Sequence, residues 1–421
     1  MPRTNWAGNL TYGAGVFQSP GTVAEAREAV RLADKVRVVG SRHCFNDISD
    51  TRGTQISLEH LKRVLSLDKA KRQVTVEGGI RYGDLGPTLH AEGYALHNLA
   101  SLPHISVVGA CATATHGSGA SLGNLATAVA GIEFINAAGD LVTLSRENDP
   151  DTFPGAVVSL GALGVISKVT LDIQPAFAIR QDVFLDLPLN ALEAHLEEVM
   201  TSGYSVSLFT DWRGDTVDQV WVKSVLEEGG RFVAKDSFFG ARPATKKMHP
   251  IANLDAVHCT EQMGAAGPSY DRLPHFRMGF TPASGEELQV EYFVPLEHAV
   301  AATKTLRQWG DRMMPLLLIS EIRIVAADDL WLSPCYRQAC AAFHFSFKQD
   351  WPALRQLLPG IEEALAPYQP RPHWGKMFTM PSNTVQSRYE KLPEFRKLLN
   401  AHDPQGKFRN AFVDRYVLGN S

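Results

Sequence analysis

Two strand-like segments in the second half of the chain hold polar side chains at spacings that could do chemistry. In Ser320–Val325, Glu321 and Arg323 lie two residues apart, so an extended strand projects both from one face and Ile322 and Ile324 from the other. In Phe343–Phe347, His344 and Ser346 share a face, with three phenylalanines packed behind. If the two strands are neighbours, a carboxylate, a guanidinium, an imidazole and a hydroxyl floor one pocket. Such a lining suits a polyhydroxylated ligand, because each hydroxyl needs both a donor and an acceptor. The same alternation also describes a surface ion pair on a solvated face, and periodicity does not choose between them. Lys376, isolated among aromatic and apolar residues in Pro372-His373-Trp374-Gly375-Lys376-Met377, either snorkels or points into a site.

A second set of candidates is glycine-rich. The β-branched run Val36, Val38, Val39 ends in Gly40-Ser41, as a buried strand does when it turns to present backbone N–H groups to an anion, and His43 stands just beyond. An ordinary strand-to-loop turn with a structural histidine has the same appearance. Gly109 to Gly119 contains no side chain larger than His116, so its backbone can approach a flat ligand, or pack tightly between layers. A third small-residue passage runs from Ser159 to Ile166. Three such passages interleaved with strands suit a large, extended nucleotide. None has the Gly-x-Gly-x-x-Gly spacing after a strand, which argues against a Rossmann site.

The elements that must position these residues follow from pattern. Residues 22–34 place Val23, Ala26, Val30 and Ala33 on one helical face, with Thr22 as the cap. Strands are expected at Gln55–Leu58, Gln73–Glu77 and Lys168–Ile173, and a helix from Tyr82 to Glu92. Beyond Gln174-Pro175 longer alternating strands take over: Tyr204–Phe209, Gln219–Lys223 and Glu287–Val294. In the last, Leu288, Val290 and Tyr292 share one face and Glu287, Gln289 and Glu291 the other, as in a sheet with one wet side. The segment from Asp403 to Phe412 reads as a turn and a short closing element.

At 421 residues, 44% hydrophobic and 20% charged, the chain has the composition of a folded protein of about two domains. A net charge of −4, with no basic block longer than Lys246-Lys247, offers no footprint for nucleic acid or anionic lipid. The N-terminal segment lacks the apolar core of a signal peptide, and no uncharged apolar run approaches the ~20 residues that span a bilayer. A cytoplasmic protein without a membrane partner is expected. Cys44, Cys111, Cys259, Cys335 and Cys340 are scattered, with no Cys-x-x-Cys, which argues against a disulfide framework and a thiolate zinc site; no metal is expected.

With these residues in view, the chain resembles the vanillyl-alcohol-oxidase class of flavoproteins, and within it the sugar-alcohol and aldonolactone oxidases. The resemblance spans nearly the whole length. It rests on Asn5-Trp6-Ala7-Gly8-Asn9, Gly40-Ser41-Arg42-His43, Thr115-His116-Gly117-Ser118-Gly119, Glu321-Ile322-Arg323, Pro372 to Lys376 and the ending from Asp403 to Asn410. Ala100 to Ser106, Tyr204 to Trp212 and Trp331 to Pro334 are similar to the alditol-oxidising branch.

The resemblance implies an α+β, two-domain fold: an FAD-binding domain of two α/β subdomains over 1–175, a substrate (cap) domain with a large antiparallel sheet over 176–376, and a C-terminal segment, 377–421, returning to their interface. It implies FAD held covalently through His43. Further cofactor contacts fall on Val38, Val39, Gly40, Ser41, Arg42, Cys44, Ser106, Gly109, Thr113, Ala114, Thr115, His116 and Ile166. The implied substrate residues are Ser101, Glu321, Arg323, Ser346 and Lys376, with Arg323, Lys376 and His344 catalytic. Ala100 is small enough to give dioxygen access. The implied reaction converts a polyol such as xylitol or sorbitol to the aldose and dioxygen to hydrogen peroxide, in a monomer; aldonolactone oxidation and non-catalytic flavin or sugar binding are the alternatives. Three positions depart from the family pattern: Arg42 stands where glycine is usual, Cys44 replaces a serine and Ser346 a threonine.

Overall fold

The computed structural model describes residues 3–226, 237–279 and 287–419. The first half contributes two main sheets and a short two-stranded pairing of Tyr94–Ala95 with Gln174–Pro175. A three-stranded parallel sheet has Thr54–Ser57 in the centre, flanked by Val16–Gln18 and Val36–Val39. An antiparallel sheet runs Val64–Asp68, Gln73–Glu77, Val165–Asp172, Val129–Ile135, Leu141–Ser145. From Ala178 to Pro372 the strands belong to a nine-stranded antiparallel sheet, whose middle is Ser205–Thr210, Leu317–Val325, Cys340–Lys348 and Glu287–Pro295.

The expected elements form, with shifted ends. Helix Val23–Leu32 starts where Thr22 accepts a hydrogen bond from the Glu25 N–H, and it stops at Ala33, whose ψ of 142° is extended. Helix Tyr82–Ala91 and strand Gln73–Glu77 lie where the pattern places them. The small-residue passage is part helix: Val107–Ala112 turns off Ser106, and Ala114 follows in the left-handed region at φ 53°.

The nine-stranded sheet is two-faced, as period-2 alternation requires. Ile322, Ile324, Phe343, Phe345 and Phe347 are buried on one side, against helices Ala299–Arg307 and Trp351–Leu365 through Ala302, Leu306, Leu354, Leu358 and Ile361. Each of those phenylalanines is worth about 2–3 kcal/mol of transfer from water. The opposite face is polar, yet Glu287 and Glu291 are also buried. The expectation of a wet side on Glu287–Pro295 is therefore corrected: that face looks into a cavity closed by the first half of the chain.

A cluster of side-chain to backbone hydrogen bonds locks the ending to the first sheet. Asp403 accepts from the N–H groups of Lys407 (2.6 Å) and Phe408 (2.7 Å). Asn410 Nδ2 donates to the carbonyls of Asp47 (2.9 Å), Ile48 (3.2 Å) and Asp50 (2.9 Å). Arg37, buried, donates to the carbonyls of Leu160 (2.7 Å), Gly161 (3.0 Å), Phe408 (2.8 Å) and Ile48. Burial pulls its pKa down to about 10, against the opposing effect of Cys44 and Asp47, so it stays cationic at neutral pH. Replacing Asn410 by Ala removes three hydrogen bonds to partly buried carbonyls and is expected to cost about 1–3 kcal/mol, read as a lowered urea midpoint; an unchanged midpoint would show that the C-terminal segment is held by packing alone.

Candidate active site

A cavity of about 1080 Å³ runs between the first half of the chain and the polar face of the large sheet. Its lining joins both sets of candidates. Val38, Val39, Gly40, Ser41, Arg42, His43, Cys44, Ser106, Gly109, Thr113, Thr115, His116 and Ile166 line one part, and Ala100, Ser101, Glu321, Arg323, His344, Ser346 and Lys376 the other. Of the expected cofactor residues only Ala114 is absent from the lining; its backbone turn places Thr113 and Thr115 on the wall instead, their hydroxyls 3.1 Å apart.

The glycine-lined end is a backbone cradle. Gly40 and Gly109 both face the Ser106 hydroxyl: a Cβ on Gly109 would lie 2.6 Å from Ser106 Oγ, and one on Gly40 closer still. Ser106 Oγ is itself buried without a hydrogen-bond partner. His43 stacks on Trp6 at 5.2 Å and tilts against His104 at 4.8 Å, and neither of its ring nitrogens completes a hydrogen bond among the described residues. Burial, reinforced by His104 and only partly opposed by the Ser41 backbone, pushes its pKa down to about 3, so the ring is neutral. Glycine-lined backbone, unspent donors and a neutral, unpartnered imidazole fit a large flavin nucleotide.

Arg42 takes the left-handed conformation that glycine favours, at φ 63°, and its exposed side chain reaches the Thr4 carbonyl at 3.3 Å. The loop conformation survives because neighbours hold it. Trp6 N–H donates to the Arg42 carbonyl (2.8 Å), Asn5 Nδ2 to that of Cys44 (3.0 Å) and Asn9 Nδ2 to that of Phe45 (2.9 Å).

The polar end is set by sheet register. Leu317–Val325 pairs with Cys340–Lys348 so that Glu321 faces His344 and Ile319 faces Ser346; on the other side Glu291 faces His344 and Gln289 faces Ser346. One row across three strands thus reads Glu291, His344, Glu321. Arg323 Nη2 donates to Glu291 Oε1 at 2.6 Å, and its Nε lies 3.6 Å from Glu321 Oε2. His116 Nε2 reaches the same Glu291 oxygen at 3.2 Å. Burial works against ionisation of both glutamates, but Arg323, with His116 at Glu291 and His275 at Glu321, overcomes it and holds both carboxyls well below the usual range. Burial and then Lys376 push His344 down to about 3, leaving it neutral. Lys376, half-buried, donates to Gln289 Oε1 and lies 5.5 Å from the Phe45 ring centroid; burial lowers its pKa against the pull of Glu291.

The sequence reading missed Gln289, Glu291, His104 and His275 as site residues. Alternation had assigned the glutamates of Glu287–Pro295 to solvent, and only the second body lying over the sheet reverses that.

The fold and site define a flavin-dependent oxidoreductase. Residues 14–145 match the family described as an FAD binding domain, and residues 282–416 match D-arabinono-1,4-lactone oxidase. The chain is 43% identical to an alditol oxidase from Streptomyces sp. over 97% of both chains, and 29% identical to an L-gulono-1,4-lactone dehydrogenase from Mycobacterium tuberculosis over 99% of both. Its fold is similar to that of cholesterol oxidase from B. sterolicum, with a TM-score of 0.78, 16% identity and coverage of 99% of this chain and 96% of that one. The chain belongs to the alditol oxidase family of FAD-dependent flavoproteins.

Buried neutral histidines give the fold an acid sensitivity. His344, at about 3, and His275, pushed by burial and then Lys223 to about 4, stay unprotonated while the unfolded chain protonates below about pH 6.5. The unfolded state therefore binds more protons between these limits, and stability falls as pH falls through that window, by up to about 1.4 kcal/mol per pH unit for each histidine. Thermal midpoints measured from pH 7 to 4.5 should drop, and His344→Asn should shallow the slope; equal slopes would show that His344 is already protonated in the fold.

Proposed function

We propose that the chain oxidises the terminal primary hydroxyl of alditols such as xylitol and sorbitol to the aldose and reduces dioxygen to hydrogen peroxide. The observation that carries this reading is one cavity in which a glycine-lined cradle with an unpartnered His43 adjoins a floor of Glu321, Arg323, His344, Ser346 and Lys376. FAD, when bound, supplies the hydride acceptor. The two cations Arg323 and Lys376 stabilise negative charge developing on the reacting oxygen in a site with little water. His344 is neutral, and Nε2, 3.3 Å from Ser346 Oγ, is placed to take the hydroxyl proton; Glu291 Oε2, 3.9 Å from Nδ1, favours the imidazolium that results. Glu321, Ser101 and Ser346 hold the other hydroxyls and fix which carbon reacts.

His43 is the proposed attachment point of the cofactor, supported by its free ring nitrogens and its neutrality. Ala100, buried on the cavity wall, is the proposed dioxygen position. The same proposal divides the chain into an FAD-binding domain at 1–175, a cap domain at 176–376 and a returning segment at 377–421. In support, strands of the two smaller main sheets end at Asp172 and those of the large sheet run from Ala178 to Pro372. A cytoplasmic monomer acting on small molecules, without nucleic acid or membrane, completes it. Among the described residues no helix is long and apolar enough to cross a membrane, and no cluster of three or more His, Cys, Asp or Glu could hold a metal.

The match of residues 282–416 to D-arabinono-1,4-lactone oxidase favours a second reading, lactone oxidation. Anaerobic mixing with xylitol, and separately with an aldonolactone, distinguishes them: bleaching of the visible flavin band by xylitol is expected, and bleaching by the lactone alone would establish the second. Peroxide should accumulate in air-saturated buffer. Lys376→Ala should slow flavin reduction about 10²- to 10³-fold; an unchanged rate would remove Lys376 from the reaction. After denaturation the yellow colour should remain with the wild-type polypeptide and separate from His43→Ala; colour released from both would exclude covalent attachment through His43.

A further inference from the structure

Behind Glu321 lies a buried pair that the reaction described above does not use. Lys223, on strand Thr216–Leu226, is 1% exposed, and among the described residues no carboxylate lies within ion-pair distance of its Nζ. Its Nζ donates instead to the carbonyls of Leu273 and Pro274 (3.3 Å) and to His275 Nδ1 at 3.0 Å. Burial pushes the Lys223 pKa down to about 7, but the amine keeps N–H donors in either charge state; Glu321 is ionised and can only accept, so Nδ1 accepts from Lys223 and the hydrogen of the neutral ring sits on Nε2. That nitrogen is 2.8 Å from Glu321 Oε1 and donates to it. The ring is wedged edge-on between Trp221 at 5.2 Å and Phe209 at 5.6 Å, so it cannot swing away. The same segment grips the other wall: the backbone N–H groups of His275 (3.1 Å) and Phe276 (3.2 Å) both donate to the carbonyl of Ser101.

We propose that Lys223 and His275 are positioning residues for substrate recognition: Lys223 fixes the His275 tautomer, and His275 aims the Glu321 carboxylate and sets its separation from Ser101. One oxygen of Glu321 is occupied by His275 and the other faces Arg323, so the carboxylate presents its remaining lone pairs to the cavity in a single orientation. Spacing between Glu321 and Ser101 then selects ligands with hydroxyls at matching intervals along the carbon chain. This rests on the reading of Glu321 and Ser101 as polyol binders.

The test uses the purified, flavin-loaded protein and its variants Lys223→Met, His275→Leu and His275→Gln. Gln supplies an N–H donor to Glu321 where Leu supplies none. With xylitol, His275→Leu should raise KM about 10- to 100-fold, while the limiting rate of anaerobic flavin reduction stays within about threefold. His275→Gln should return KM to within about threefold of wild type. With 1,5-pentanediol, which lacks the inner hydroxyls, all forms should show similar KM. Lys223→Met should act as a weaker His275→Leu, and it carries the test if the leucine variant does not fold. Unchanged KM in both Lys223→Met and His275→Leu, failure of Gln to rescue, or an equal loss with pentanediol would overturn the proposal while leaving alditol oxidation intact. A wild-type protein whose flavin xylitol does not bleach would overturn both.

Discussion

Three hydrogen bonds join the loop that carries His43 to the backbone that carries Lys376. Phe45 N–H donates to the Gly375 carbonyl at 2.8 Å, and Asn46 Nδ2 donates to the carbonyls of Trp374 (2.8 Å) and Lys376 (2.7 Å). Trp374 is fully buried, with its indole N–H on the Leu332 carbonyl at 2.7 Å, so this backbone has little freedom to move. The two ends of the cavity belong to segments more than 300 residues apart, and this junction sets the distance between them. The placement of cofactor against cations in the proposed reaction depends on such a fixed joint.

Given that joint, the charge arrangement on the sheet follows from register. Glu291 is enclosed and anionic because Arg323 meets it directly, with His116 on the same oxygen; removing Arg323 would leave a buried carboxylate without its ion-pair partner, which is far more costly than an exposed one. The carboxylates in turn hold Arg323 cationic despite burial. His344 lies between two carboxylates in the sheet row, yet desolvation and Lys376 prevail and it stays neutral. A guanidinium and a neutral imidazole thus coexist within one small volume, as the proposed stabilisation of an oxyanion and removal of a proton require.

The departures from the family pattern are local. Arg42 pays a left-handed backbone but turns its charge outward, and the loop keeps its path through Asn5, Trp6 and Asn9. Ser346 keeps its hydroxyl on His344 Nε2 at 3.3 Å. Cys44, with its pKa pushed by burial up to about 11, is an uncharged thiol beside the cradle.

The sequence by itself determined the alternation that puts Glu321 with Arg323 and His344 with Ser346, the helix caps and turns, and the small-residue passages that become the cradle, because these depend on neighbours two to four residues away. It could not determine that Glu287 and Glu291 are enclosed and Gln289 half-buried, since a polar strand face looks the same under water and under a second body. Nor could it show that Lys223 and His275, 52 residues apart, meet behind Glu321, or that Arg37 gathers carbonyls from three distant segments. Those contacts arise only when strands pair across long separations, where register and layer packing, rather than local preference, decide which side chains share a volume.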